Sequence, residues 1–295
     1  MREIYELEKE RLSLLVKLKL VSIFSLFIGL VAFVIFYFYM QREILLSIFM
    51  GVFSTLFFYA FIRNFLTSDF NKDFKLIAMQ KVIESFGLTY ESENFIKYSD
   101  FITPNIYLKP DTYSGNDLVY GSYNGVSFKF SDLFSQRRVQ RVDEKGKVHV
   151  SYETIFCGIC FIANFNKNFT STTYALSRNR NVSLFRITMD NSEFEKEFNV
   201  YSSDKINAFY ILTPNLMERI LRLKNLFKSP LNLAFLDNKI YIYIEFGRDS
   251  FEPDVRQSLI GDDSIILRYK AEILELLNII NELNLNRKIF TSNEI

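Results

Sequence analysis

Val21–Met40 and Ile44–Ile62 contain no charged side chain, and only Gln41-Arg42-Glu43 separates them. An α-helix rises about 1.5 Å per residue and the hydrocarbon layer of a bilayer is about 30 Å thick, so about 20 apolar residues span it. Both stretches have that length. Lipid offers no partner to backbone N–H and C=O groups, which predicts that each stretch is a helix. A three-residue link makes the helices antiparallel and leaves both flanks on one side. Gly29, Ser47, Gly51, Ser54 and Ala60 are small enough to let the two backbones approach. Tyr37, Tyr39 and Tyr59 lie near the ends, where amphipathic rings favour the interface. The first stretch is longer than the apolar part of a secretory signal and no small-residue cleavage site follows it, so it is expected to stay in place.

Cations near the ends set the orientation. Arg11, Lys17 and Lys19 precede the pair, Arg63, Lys72 and Lys75 follow it, and the link holds only Arg42. The positive-inside rule then puts both termini in the cytoplasm and makes the chain a multi-pass protein of the cell (inner) membrane. Residues 1–20 carry Ile4, Leu7, Leu14, Leu15 and Leu18 at helical spacing, which predicts an amphipathic cytoplasmic helix running into the first span. Residues 63–87 read as a connecting helix, with Ser68 or Asp69 as its cap and Gly87 at its end.

Roughly 230 residues follow Ile62, enough for one large domain or two small ones. The formal net charge is +1. A general nucleic-acid binder would carry a basic excess, so nucleic acid is not an expected partner. The bilayer is the expected one.

The domain from 88 to 295 reads as α+β. After an irregular 88–116, Leu118–Tyr123 and Val126–Phe130 flank Asn124-Gly125, a strong hairpin-turn signal. A second hairpin turns at Asp143-Glu144-Lys145-Gly146. Thr154–Phe165 reads as a central strand. Shorter strands are expected at Thr172–Leu176, Ser183–Thr188, Asn199–Tyr201 and Ala208–Leu212, and the alternation Glu193–Phe198 suggests a solvated strand face. Thr213-Pro214 opens a helix. Leu231–Leu236 and Ile240–Phe246 form a third hairpin, and a last helix covers Ser264–Leu285, capped by Asp262-Asp263. The tail Asn286–Ile295 is expected to fray. Tight turns imply antiparallel pairing, so the predicted architecture is a transmembrane helical hairpin (21–40, 44–62) followed by a curved, mainly antiparallel sheet with packed helices.

Few residues point to chemistry. Cys157 and Cys160 are spaced C-x-x-C, but they lie in a predicted strand, where residues three apart face opposite ways. They read as ordinary strand residues. The single histidine, His149, has no matched nucleophile near it in sequence. No phosphate loop or nucleophile elbow occurs. The carboxylates do not converge visibly enough for calcium or magnesium, and no cofactor is called for. The cations Arg137, Arg138, Arg141, Lys145 and Lys147 sit on the second hairpin. They could touch anionic lipid heads, each near-surface charge contributing about 1 kcal/mol, or simply keep an edge hairpin soluble.

Several blocks carry a likeness. They are Tyr113-Ser114-Gly115-x-Asp117 with Gly121 and Phe128-x-Phe130-Ser131; Phe156-x-Gly158-x-x-Phe161-x-Ala163-Asn164-Phe165-Asn166-Lys167; Phe198-x-Val200-Tyr201-Ser202 with Tyr210 through Arg219; and Phe251-Glu252-Pro253. Over roughly residues 70–255 the chain resembles an uncharacterised bacterial family, domain of unknown function thirty-one thirty-seven. Asn164 stands where that family's pattern has Asp, and neither cysteine belongs to the pattern. The resemblance implies an N-terminal membrane hairpin with a cytoplasmic domain and, by analogy, a LemA-type membrane protein as partner. It supplies no activity and no catalytic residues.

No reaction is named by the sequence. The leading expectation is a membrane-anchored cytoplasmic interaction module, non-enzymatic. The alternatives are a tethered lipid or small-ligand sensor, and an enzyme with an unrecognised carboxylate site at Asp117, Asp190 or Glu252. The oligomeric state is left open.

Overall fold

A computed structural model describes residues 2–39, 43–143, 146–165, 171–177, 182–283 and 285. The link Gln41-Arg42, the tip Glu144-Lys145 and the tail 286–295 lie outside them. The chain divides into two compact units, Met1–Val82 with Glu252–Lys270, and Ile83–Phe251 with Ala271–Ile295.

The first unit is built on two long helices, α1 (Arg2–Tyr39) and α2 (Ile44–Phe74). Gly29 and Gly51 mark a close approach between them. A Cβ on Gly29 would lie 1.8 Å from Thr55 Oγ1 and 2.8 Å from the Gly51 carbonyl oxygen. Only a hydrogen fits there, as small-residue helix contacts require. Away from that seam, α1 and α2 present large exposed apolar side chains, among them Phe24, Phe27, Leu30, Phe49, Phe53 and Phe57. Both helices are long and apolar enough to cross a membrane.

No new helix starts at Ser68 or Asp69. Helix α2 runs past them into a π-helical turn (Lys75–Met79) and α3 (Gln80–Glu84). The physical reason is the lack of any Gly or Pro between Ile62 and Gly87, so nothing interrupts the backbone ladder. Gly87, at φ +71°, ends the run as expected.

The amphipathic start of α1 buries Leu7, Leu14 and Leu18. It also buries Glu8 and Arg11, which form an ion pair at 2.7 Å. Arg11 Nη1 donates to the Val255 carbonyl and the backbone N–H of Leu259 donates to Glu8. The loop after Glu252 is thereby tied to α1 within this unit. Lys75 bonds Glu252 at 2.7 Å, and Phe74 packs edge-on against Tyr269.

The second unit holds one nine-stranded open sheet. Its order is β1 (Thr89–Glu91), β2 (Thr112–Tyr123), β3 (Val126–Val142), β4 (Val148–Asn164), β9 (Lys239–Ile244), β8 (Leu231–Leu236), β5 (Thr173–Leu176), β7 (Asn199–Ser202) and β6 (Phe185–Ile187). Every described pairing is antiparallel. The turn at Asn124-Gly125 has both residues at positive φ, the geometry that hairpin twist selects, and Asp237-Asn238 repeats it. The short segments predicted at 126–130 and near 139–142 are one 17-residue strand, β3, facing an equally long β4.

The register lines up a row Phe130, Phe161, Ile242, Leu233, Ala175 and Val200 across six strands. All six side chains are buried. On the other face, Cys160, Ile162, Tyr241, Tyr243 and Ala234 join Ile96, Phe101, Ile106 and Tyr107 in a second cluster. The middle strands are therefore buried on both faces, which is why β4, β8 and β9 read as continuous apolar runs rather than alternating ones. Helix α4 (Tyr98–Ile102) lies in the segment expected to be irregular and puts Phe101 into that cluster.

Two predicted strands are helices. Ser192–Glu197 is α5, because the Asn191 side chain accepts from the N–H groups of Glu193 and Phe194. Lys205–Ile211 is α6, because Asp204 accepts from Ile206 and Asn207. A cap satisfies the donors that a helix start leaves free, and here it outweighs β propensity. Thr213 caps α7 (Pro214–Phe227) as expected. The last helix, α8 (Ile265–Glu282), is capped by Ser264 Oγ, which accepts from the Leu267 N–H, rather than by Asp262-Asp263.

Candidate functional site

Asp117, Asp132 and Asp249 bring one carboxylate oxygen each to within 4.8 Å of the others. Three separate elements deliver them. Asp117 sits in a bulge of β2, where the register with β3 jumps between Asn116 and Val119. The bulge frees its backbone N–H from the ladder, and that group donates to the Ser92 carbonyl instead. Asp117 adopts φ +57°, a left-handed conformation that Asp tolerates better than most residues. The Tyr90 hydroxyl donates to its Oδ1 at 2.5 Å. Asp132 lies in the middle of β3, on the face that also carries Phe128 and Phe130. Asp249 follows β9 and is exposed, with Asn116 Nδ2 donating to its Oδ2 at 3.2 Å.

Asp117 is 1 % exposed and Asp132 3 %. Burial pushes the Asp132 carboxyl well above the usual carboxylate range, and the charges of Asp249 and Asp117 push it the same way. The Ser250 N–H donates to Asp132 Oδ2 at 3.1 Å. Oδ1 meets no donor among the described residues. Asp132 also helps to line a cleft of about 420 Å³, together with Ser114, Asn116, Phe134, Cys157 and Arg248, among others.

The close approach behind the cleft explains Gly158. Its φ is +149°, and a Cβ there would lie 2.1 Å from the Ile244 carbonyl oxygen. This is the close backbone contact expected of a glycine inside a strand.

The carboxylates proposed from sequence do not gather as a group. Asp117 joins the cluster, Asp190 is exposed, and Glu252 belongs to the first unit. Asp132 and Asp249 were missed. A carboxylate at the alternate position that Phe128 and Phe130 hold on the same strand face was the available signal for Asp132. Nothing local marks Asp249.

Cys157 and Cys160 are both free thiols in β4. Burial raises both above the ordinary thiol value, which disfavours the reactive thiolate. His149 is exposed and its Nε2 lies 2.9 Å from Asp143 Oδ2.

The basic residues of the second hairpin fall on two faces of a ribbon that extends beyond the end of β2 pairing at Gln136. Arg137 and Arg141 share one face with Glu153 and pair with it at 3.2 and 3.1 Å. Arg138, Val142, Val148, Val150 and Tyr152 occupy the other face and are exposed. Lys147 is exposed at the turn, and Lys145 lies outside the described residues.

Fold and site together define an α+β protein with an apolar helix pair and an open antiparallel sheet that carries a buried carboxylate group. Residues 154–285 match the family described as protein of unknown function (DUF3137), the uncharacterised family that the sequence resembles. The match takes in the second, third and last of the blocks quoted above and leaves the first, Tyr113–Ser131, outside. No curated protein matches the sequence. Among solved structures, the crystal structure of the mycobacterial trehalose monomycolate transport factor A, TtfA, is similar at 10 % identity and a TM-score of 0.42, covering 74 % of this chain and 97 % of that one.

Proposed function

We propose that the protein is a membrane-anchored interaction module that holds its sheet domain at the cytoplasmic face of the cell membrane and works without catalytic turnover. The observation that carries this reading is the apolar surface of α1 and α2. Large side chains such as Phe24, Phe27, Phe53 and Phe57 are exposed all round the helix pair. Water does not tolerate apolar surface on that scale, whereas a bilayer solvates it. The cations at Arg11, Lys17, Lys19, Arg63 and Lys72, against one in the link, favour a cytoplasmic position for both termini. The partner is a membrane protein, LemA-type by analogy with the family resembled, and no nucleic acid is involved. Affinity purification of the full-length chain from membranes in mild detergent tests this, and a stoichiometric membrane-protein partner is expected. Recovery of the chain alone would end the reading.

The sensing alternative is favoured by the cleft beside Asp132. The lipid-contact reading of the hairpin draws on Arg138 and Lys147 but is weakened by Glu153, which already neutralises part of the charge of Arg137 and Arg141. Reconstitution of full-length protein in anionic and in neutral liposomes, with quenching probes placed at Arg138, separates these. Insertion only at anionic surfaces supports lipid contact.

A further inference from the structure

A buried carboxylate needs a counter-charge or a proton. Isolated burial of the ion is expensive, and such groups are paired, metal-bound or neutral. Asp132 is nine-tenths buried, one of its oxygens accepts from no described group, and two further carboxylates each bring an oxygen to within 4.8 Å of one of its own. Like charges this close repel, and the less water lies between them the more strongly they do so. Asp117 is buried as well and is fixed by Tyr90 and the Ser92 carbonyl, so it cannot swing away cheaply.

We propose that Asp117, Asp132 and Asp249 bind a hard divalent cation of calcium or magnesium type, with its remaining coordination positions open to the cleft. The donor set is all oxygen, which suits hard cations rather than zinc or copper. Cys157 lines the same cleft but its sulfur is not among the converging atoms. Two oxygens on one calcium ion, each at about 2.3–2.6 Å, lie up to about 5 Å apart, close to the 4.8 Å within which the three carboxylate oxygens fall, whereas magnesium, at about 2.0–2.1 Å, would need them drawn closer together. The ion would give the Asp132 carboxylate a counter-charge and offset the repulsion within the group. It would also clamp three segments far apart in sequence: the β2 bulge, the middle of β3 and the loop after β9. That loop would be ordered by the ion, so occupancy would decide the shape of one wall of the cleft. Arg248, which lines the cleft, is the rival for this place. This inference stands independently of the membrane-module reading.

Full-length protein in detergent, stripped with a chelator, is titrated with calcium chloride and separately with magnesium chloride by calorimetry. Saturable binding at one site per chain is expected for at least one of the two. Asp249→Asn alters an exposed side chain, leaves the fold intact, and should weaken binding at least about tenfold, the loss that even outer-shell partners can produce. Asp132→Asn should weaken it as much while unfolding no earlier than the wild type without metal. Cys157→Ser should bind as the wild type does. The proposal is overturned by an absence of saturable binding into the millimolar range, by unchanged affinity in Asp249→Asn, or by binding of zinc alone that Cys157→Ser removes.

Discussion

Glu8 and Asp132 are both carboxylates held away from water, one in each unit, and their surroundings treat them in opposite ways. Glu8 meets Arg11 through two nitrogens, the Leu259 N–H and the Ser258 hydroxyl. The Arg11 contact holds its carboxyl below the ordinary value of 4.5. Asp132 meets Ser250, through its backbone N–H and its side chain, and two carboxylates, and burial holds it above the ordinary value of 3.8. The first arrangement spends its charges on fixing the loop 255–259 to α1. The second leaves one carboxylate oxygen without a donor among the described residues, and an unsatisfied buried atom calls for a physical explanation.

Breaking the first arrangement should have the largest effect. Arg11→Met leaves Glu8 buried without its partner and should destabilise the protein by about 3–5 kcal/mol. Thermal unfolding of the full-length chain followed by circular dichroism measures this, a suitable probe because the chain contains no tryptophan. A change under about 1 kcal/mol would mean that the pair is solvated like a surface bridge.

Asp132→Asn should act with the opposite sign. In metal-free buffer it replaces a buried carboxyl, whose ionisation burial and two neighbouring carboxylates oppose, by a side chain that cannot ionise, and it should stabilise by about 1–3 kcal/mol at a pH where Asp132 is charged. Loss of stability on this substitution would place Asp132 among the structural charges with Glu8.

The pH dependence sharpens the contrast further. The folded state holds the Asp132 proton more tightly than the unfolded chain does. Its contribution is present below pH 3.8 and is lost as pH rises towards the higher folded value. Glu8 runs the other way. Its contribution is complete above pH 4.5 and is lost as pH falls through the lower folded value. The stability gained by Asp132→Asn should therefore grow as pH rises above 3.8, whereas the stability lost in Glu8→Gln should shrink as pH falls below 4.5. A gain that stays flat with pH would remove the titration of Asp132 from the account.

Thr213→Ala provides the small, uncharged control. It deletes the hydroxyl that accepts from the Leu216 N–H at the start of α7, and it should cost about 1 kcal/mol at any pH. Any pH dependence in this variant would show that the detergent-solubilised protein itself changes across the range.

Much of the fold was legible because it rests on local signals. The apolar stretches gave the two long helices, Asn124-Gly125 and Asp237-Asn238 gave their hairpins, and Thr213-Pro214 gave the start of α7. The misreadings had local causes too. Phe194 and Phe198 flank charged residues with apparent alternation, yet the Asn191 cap settles that segment as helix. Ala208–Leu212 is apolar enough for a strand, yet Asp204 starts a helix before it. The site was less legible. Asp117 stood inside a quoted block, Asp132 was one residue past the same block, and Asp249 was anonymous.

The sequence alone determined the helix pair, the antiparallel α+β class and the likeness to the family matched over residues 154–285, because each follows from runs, periods and turn residues that act within a few positions. The tertiary structure alone decided which carboxylates come together. A strand register, a one-residue bulge and a loop after the last strand bring positions 117, 132 and 249 together, and no periodicity records a contact among residues so far apart in the chain. It also decided what the charges of the second hairpin do, since only cross-strand pairing sets Arg137 and Arg141 against Glu153 and leaves Arg138 on the opposite face.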